Sequence, residues 1–388
     1  MPNQIKVLYI IDTLQGSGAE RSLVEIAKHF TEIQPVFVHI YPGDMLKKQL
    51  EERNIKVYSL NLTKKYGFKD AVNKLIPIYN KELPDLIHSS LYRADIIARK
   101  LKTKFPSIPL IGSFVNNSYT TLRYKDQSLI MKFKLWLAYH IDKRSARKVD
   151  FFISNSETIK SHEGQALGIP EARIKVIYRG RDMTSFNKGT LEEQIVLKKS
   201  LGIYGKNILI NVSRLIQRKG QLDMIYALPA ILQEYPDTVL LIAGHGDYKN
   251  ILEVTAKKLN LMSAIKFLGR RQDIPQLLEI SHIFVYPSYA EGLPGALIEA
   301  MMAGKLIIAS DIGENLECID ENSALIFNKG EVDDLANKII YALRNYSSLQ
   351  SLGKNAKIQA EKKFKIKNIA NEYEDFYNSV LANKNINS

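Results

Sequence analysis

Short apolar strands alternate with amphipathic helical stretches along this chain, and the alternation runs through twice. IKVLYII (5–11) is followed by GSGAERSLVEIAKHF, in which Leu23, Ile26, Ala27 and Phe30 fall on one helical face. PVFVHIY (35–41), DLIHSSL (85–91), PLIGSFV (109–115), DFFISNS (150–156) and IKVIYRG (174–180) continue the series. After a polar passage near 183–205 it restarts with NILINVS (207–213), then TVLLIAG (238–244), IKFLG (265–269), HIFVYPS (282–288) and KLIIAS (305–310). Continuous apolar strands separated by helix-length segments are the pattern of stacked βαβ units around a parallel sheet. The expected fold is therefore α/β, with two Rossmann-like parallel-sheet domains facing across a cleft, over 1–185 and 186–361. A helical tail, 362–388, carries apolar Ile366, Ile369, Tyr373, Phe376 and Val380. At 388 residues there is room for two full cores.

Several classes are excluded. No run of 18 apolar residues marks a transmembrane helix. The start, MPNQIKVLYIID, lacks the charged, apolar and small-residue regions of a signal peptide and reads as a first strand. One cysteine, Cys318, allows no internal disulfide and suits a reducing cytosol, so a cytoplasmic location is expected. The net charge of +13 is concentrated in one half: residues 1–182 hold 30 Lys/Arg against 18 Asp/Glu, and the rest is nearly balanced. A basic half beside a neutral one suggests an anionic partner for the first. Nothing in the sequence has the aromatic–basic interleaving or helix-turn-helix context of nucleic-acid recognition.

The stretch EGLPGALIEAMMAGK (291–305) carries the most chemistry. It follows the strand HIFVYPS, with Pro294 expected in the first turn of a helix and Gly304 as its stop. Glu291 then lies in the loop at the carboxyl end of a strand and Glu299 inside the helix, the edge where ligands bind in open α/β sheets. An ionised carboxylate accepts hydrogen bonds only, and can take two from a vicinal diol. NVSRLIQRKG (211–220) supplies Arg214 and Lys219 at the end of another strand, a planar fork and a point charge suited to phosphate. A ligand with a diphosphate between two polyols, a nucleoside-diphosphate sugar, matches both sets.

These motifs, in this order, resemble the retaining glycosyltransferases of family 4, which have the two-domain GT-B fold; the resemblance implies that the C-terminal helix returns to the first domain. GSGAE (16–20) resembles the family's glycine-rich first loop, and DLIHSSLYRADIIAR (85–99) its third βα unit. VSRLIQRKG, AGHGD (243–247), FLGRRQDI (267–274) and VYPSYAEGLPGALIEAMMAGK (285–305) resemble its second domain. The resemblance implies sugar transfer from a nucleoside-diphosphate sugar, with UDP favoured, retaining anomeric configuration and using no metal or other cofactor. It gives Glu299 the ribose hydroxyls and Glu291 the donor sugar, with backbone at Gly292 and Leu293. Arg214 and Lys219 would hold the diphosphate, Gly244 would lie beside the donor, and backbone near Arg270 and Arg271 would read the base. Gly16 and Gly18 would let the first loop approach the phosphates or acceptor.

The sequence departs from the family at two places. Many members have a histidine after the strand matching PLIGSFV; here the loop reads NNSY, with Asn116 or Asn117 nearest that position and Asn116 taken as the catalytic candidate. The usual Asn-Gly-x-Asp before the linker reads RGRD, adding Arg179 and Arg181, for which ordinary surface charge is the leading reading. The first domain of such proteins usually binds the acceptor, so a glycan or lipid-linked acceptor in bacterial envelope polysaccharide synthesis fits its charge. RYKDQSLIMKFKLWLAYHIDKRSARK (123–148) has two readings. It is either a basic amphipathic helix lying on an anionic membrane surface, or a helix whose Leu129, Phe133, Trp136, Leu137 and Ile141 pack inside the domain. A degenerate binding protein and a sugar-nucleotide epimerase are the rival functions.

Overall fold

The computed structural model describes residues 4–119, 124, 127–186 and 189–386. The chain forms two compact units: Met1–Arg181 with Ile366–Ser388, and Asp182–Lys365.

Among the described residues, the first unit holds seven parallel strands. These are β1 (Ile5–Ile11), β2 (Ile33–His39), β3 (Lys56–Ser59), β4 (Leu86–Ser90), β5 (Leu110–Phe114), β6 (Phe151–Ser154) and β7 (Ile174–Val176), in the order β3-β2-β1-β4-β5-β6-β7. Side chains alternate across a strand, and β1 shows it: Leu8 and Ile10 enter one apolar cluster, while Val7, Tyr9 and Ile11 enter the other. Both faces are covered, which is why these strands read as unbroken apolar runs. IKVIYRG keeps a strand only to Val176, and the half-exposed KVYS at the sheet edge had no apolar signature to announce β3.

The helix Ile366–Ile386 completes the first unit. Ile366, Ile369, Ala370, Tyr373, Tyr377 and Val380 recur at helical spacing and join the cluster of Val7 and Tyr9. Polar bonds fix its register. The Tyr377 hydroxyl lies 2.7 Å from both the Tyr9 hydroxyl and His88 Nδ1, and His88 Nε2 lies 2.7 Å from Ser113 Oγ. Burial pulls the His88 pKa down to about 3, so this ring is neutral. The buried Glu374 carboxylate accepts from the backbone amides of Thr31 at 2.6 Å and Glu32 at 2.7 Å. Glu374→Ala removes the acceptor of these amides and of the buried Ile33 amide at 3.3 Å, and should cost about 2–3 kcal/mol. A lowered urea midpoint with unchanged slope checks it.

The second unit repeats the plan. Among the described residues its sheet contains β8 (Asn207–Val212), β9 (Thr238–Ala243), β10 (Ile265–Gly269), β11 (Ile283–Tyr286), β12 (Leu306–Ser310) and β13 (Leu325–Phe327), in the order β10-β9-β8-β11-β12-β13. Leu209, Leu240, Ile242, Val285 and Ile308 pack with Leu228 and Ile231 of the helix Gln221–Glu234. The chain runs from β8 outward to β10 on one side and from β11 to β13 on the other. The carboxyl ends of β8 and β11 therefore bound the topological switch point, where ligands of open α/β sheets bind.

Candidate functional site

The loops after β8 and β11 lock together at that switch point. Gly220 has φ +67°, and a Cβ there would run into the Pro287 carbonyl oxygen, so backbone meets backbone. Tyr289 N donates to the Arg218 carbonyl at 2.8 Å, and Arg218 Nη1 donates to the Ala290 carbonyl at 3.2 Å. Gln221 Nε2 ties the first loop down through Ser213 Oγ at 2.7 Å and the Arg214 carbonyl at 2.9 Å. Gly244, after β9, leaves no space for a side chain against the Ser213 carbonyl oxygen.

This frame brings Lys219 and Glu291 together. Lys219 Nζ pairs with Glu291 Oε1, and the same oxygen accepts from the Tyr286 hydroxyl at 2.7 Å. Nζ lies 3.4 Å from that hydroxyl and 5.6 Å from the ring centre. Both charged side chains are nine-tenths buried. Burial alone would raise the Glu291 carboxyl. The Lys219 charge, with hydrogen bonds from Lys219, Ser288 and Tyr286, outweighs it and holds the group below the usual carboxylate range. The residues read separately from the sequence, one for sugar and one for phosphate, thus form a single ionised pair.

Around the pair, Gly292 and Leu293 are buried, and Glu299 is half-buried as the fifth residue of the helix Gly295–Met302. Pro294 is the cap before that helix rather than part of its first turn, with Gly304 (φ +64°) beyond its end. Arg214 is exposed in the loop after β8, and Arg270 is exposed after β10. The Arg271 side chain is committed to Asp273, Nε to Oδ1 at 2.7 Å with a second bond through Nη2. Sequence reasoning missed Tyr286, which it treated as strand filling, and Tyr289, whose hydroxyl donates to Asp223 Oδ2 at 2.8 Å. Burial first, then this bond, raises the Tyr289 pKa to about 12. The two tyrosines in VYPSY, flanking a proline at a strand end, were the available signal.

In the first unit Gly16 takes φ +92°, and Ser17 caps the helix Gly18–Ala27. The buried Glu20 carboxylate accepts from the amides of Gly16 and Ser17 at 2.7 Å and from the Thr13 hydroxyl, so this acid is spent on shaping the glycine-rich loop. At Gly18 a Cβ would meet Arg179 Nη1 at 3.5 Å, an ordinary contact. The backbone demand for glycine therefore falls on Gly16.

Asn116 is exposed just after β5. Asn117 points elsewhere: its Nδ2 lies 2.7 Å from His162 Nδ1. The loop is pinned on both sides. The Val115 carbonyl accepts from Asn155 Nδ2 at 3.1 Å and Arg179 Nη2 at 3.3 Å, and Ser118 N donates to the buried Glu163 at 2.7 Å. Arg179 is therefore not a surface charge. It is 9% exposed and borders a cavity of about 20 Å³ with Ser113, Asn155 and Tyr373. Arg181 is half-buried.

The helix Leu129–Ala146 tests the reading in which its apolar face packs inside the domain. It buries Asp142 and Ala146, with Asp142 bound by Arg99 and by the Tyr119 hydroxyl. Leu129 (83%), Phe133 (62%), Trp136 (49%), Leu137 (45%) and Ile141 (42%) are exposed. They do not pack inside the unit. Among the described residues no helix is long and apolar enough to cross a membrane.

Comparison with known proteins places both units. The family model "Glycosyltransferase Family 4" matches residues 16–185, and "Glycosyl transferases group 1" matches residues 193–359. The UDP-Gal:alpha-D-GlcNAc-diphosphoundecaprenol alpha-1,3-galactosyltransferase of Escherichia coli is 27% identical over 326 residues, 81% of each chain. Spore coat protein SA of Bacillus subtilis is 31% identical over 227 residues, 53% of this chain and 60% of its own. The crystal structure of Anabaena HepE in complex with UDP and glucose shares the fold, with a TM-score of 0.84 at 24% identity over 97% of this chain and all of the other.

Proposed function

Since the chain belongs to the group 1 and family 4 glycosyltransferases of the GT-B fold, we propose that it moves a sugar from a UDP-sugar to a glycan or lipid-linked acceptor with retention of configuration. The observation that carries the donor reading is the buried Lys219–Glu291 pair at the second unit's switch point. Glu291 is held ionised there and accepts hydroxyls of the donor sugar. Lys219 and Arg214 take the diphosphate, and Glu299 the ribose diol. As the glycosidic bond breaks, charge gathers on the departing diphosphate, and fixed cations stabilise it without a metal. UDP is favoured because the Anabaena neighbour was solved with UDP and the E. coli relative is named for UDP-Gal. Asn116 serves the reacting sugar from the loop after β5.

The acceptor reading draws on the basic first half and on the diphosphoundecaprenol acceptor in the E. coli relative's name. It places the enzyme in bacterial envelope polysaccharide synthesis, peripheral on the cytoplasmic face of the membrane. The exposed apolar face of the helix Leu129–Ala146 supports that placement. The donor test is thermal. UDP at about a hundred times its Kd should add about 2.7 kcal/mol of native-state stability and raise Tm. Glu299→Ala should weaken UDP binding by about 100-fold or more, two charge-assisted hydrogen bonds being lost. No shift with UDP, GDP or ADP would remove the donor reading and favour a binding protein that has kept the fold.

A further inference from the structure

The first sheet has its own switch point. The chain leaves β1 toward β2 and β3 on one side, and β4 leads to β5, β6 and β7 on the other, so a crevice opens between the carboxyl ends of β1 and β4. Asp12, the residue after β1, accepts from Ala94 N at 2.9 Å through Oδ1 and holds Arg93 Nη1 at 3.4 Å with Oδ2. The Arg93 guanidinium lies 5.4 Å from the ring centre of Tyr41 and 5.8 Å from that of Tyr66. Tyr41 donates its hydroxyl to the Lys65 carbonyl at 2.6 Å, which holds the loop carrying Tyr66. Tyr66 itself is 70% exposed.

Leu91, between β4 and this arginine, takes φ +80°. A residue with a Cβ rarely adopts that conformation, and such outliers gather at functional sites.

A structural ion pair alone would not need this construction. The 3.4 Å separation is long for a charge-assisted bond. A guanidinium has five N–H donors, and among the described residues only Nη1 of Arg93 is engaged in a hydrogen bond. Its side chain is 31% exposed. The flanking rings and Asp12 fix the fork without saturating it, so little side-chain freedom remains to be lost on binding.

Resting on the acceptor reading above, we propose that Arg93, oriented by Asp12 and Tyr41, is the anion subsite of the acceptor. Its guanidinium takes an oxyanion, and Tyr66 covers the adjoining sugar ring. Phosphate of a lipid diphosphate and carboxylate of an acidic sugar are the two sources of that oxyanion.

Titration calorimetry with three probes tests it: decyl-diphosphate-linked GlcNAc, decyl glucuronide and uncharged decyl GlcNAc. Wild type should bind at least one charged probe about tenfold more tightly than the uncharged one, the worth of one charge-assisted hydrogen bond. Arg93→Gln should erase that preference. Tyr66→Ala, at an exposed position where folding is not at stake, should weaken the charged probe as well. The better charged probe names the source of the oxyanion. Equal affinity for charged and uncharged probes, no binding of any probe, a preference that survives Arg93→Gln, or unchanged affinity in Tyr66→Ala overturns the subsite. UDP titrated into the same wild-type sample tests the donor reading separately, so failure of one is distinguishable from failure of the other.

Discussion

Lys219→Ala should lower kcat by about 10²–10³ and destabilise the second unit by about 3–5 kcal/mol, as expected when one partner of a buried ion pair is removed. The two losses have different origins. In the proposed donor site Nζ meets the charge that gathers on the departing diphosphate, so its removal should reduce kcat more than it raises KM. The stability loss arises from Glu291, 5% exposed and left without its counter-charge. Its pH dependence separates this explanation from a general packing defect. In wild type the Glu291 pKa lies below the usual value. Its contribution is therefore present above the unfolded pKa and lost as pH falls through the folded one. In the variant, burial remains and the Lys219 charge is gone, so the carboxyl is pushed up instead. Stability should then be best in mild acid and fall as pH rises toward neutrality, the reverse of the wild-type trend. Urea midpoints across that range read the sign directly. A parallel decline of both proteins in acid, or transfer unaffected by the substitution, would dismiss Lys219 from the role given to it.

Most of the fold was legible because parallel strands covered on both faces must be apolar throughout, and helix faces must repeat every three to four residues. The parts that escaped are those that need neither. β3, KVYS, lies at an edge and is half exposed, and β13 is only Leu325–Phe327. At the site, residue types were legible and partners were not. Lys219 and Glu291 are 72 residues apart, and nothing in either motif says that the cation neutralises the carboxylate. Arg179 shows the same limit from the other side. RGRD looks like loop charge, yet topology folds Arg179 beneath the Val115 carbonyl. The Arg93 cluster needs β1, β2 and β4 to be neighbours before Asp12, Tyr41 and Arg93 mean anything together.

Periodicity also cannot say which way an apolar stripe faces, and the helix Leu129–Ala146 turns on that point. Leu129, Phe133, Trp136, Leu137 and Ile141 share one side of the helix, while the buried Asp142 and Ala146 occupy the opposite side. Phe133 and Trp136 stack at 5.8 Å on the open side, and Lys132 and Lys134 are exposed on its flanks. An outward apolar face bordered by lysines suits the boundary of an anionic lipid surface. The protein should therefore cosediment with vesicles containing phosphatidylglycerol and bind phosphatidylcholine vesicles much less. Each basic side chain near the surface contributes about 1 kcal/mol, and added salt should weaken the interaction. Replacing Phe133 and Trp136 together by Ser should reduce binding to the anionic vesicles by about a hundredfold, from partial burial of each ring in the interface. Because both rings are already exposed in the folded protein, the urea midpoint should stay within about 0.5 kcal/mol of wild type. Lost vesicle binding at unchanged stability assigns this face to the membrane. Equal binding to neutral and anionic vesicles would remove the lysines from the account, and undiminished binding by the double variant would remove the helix.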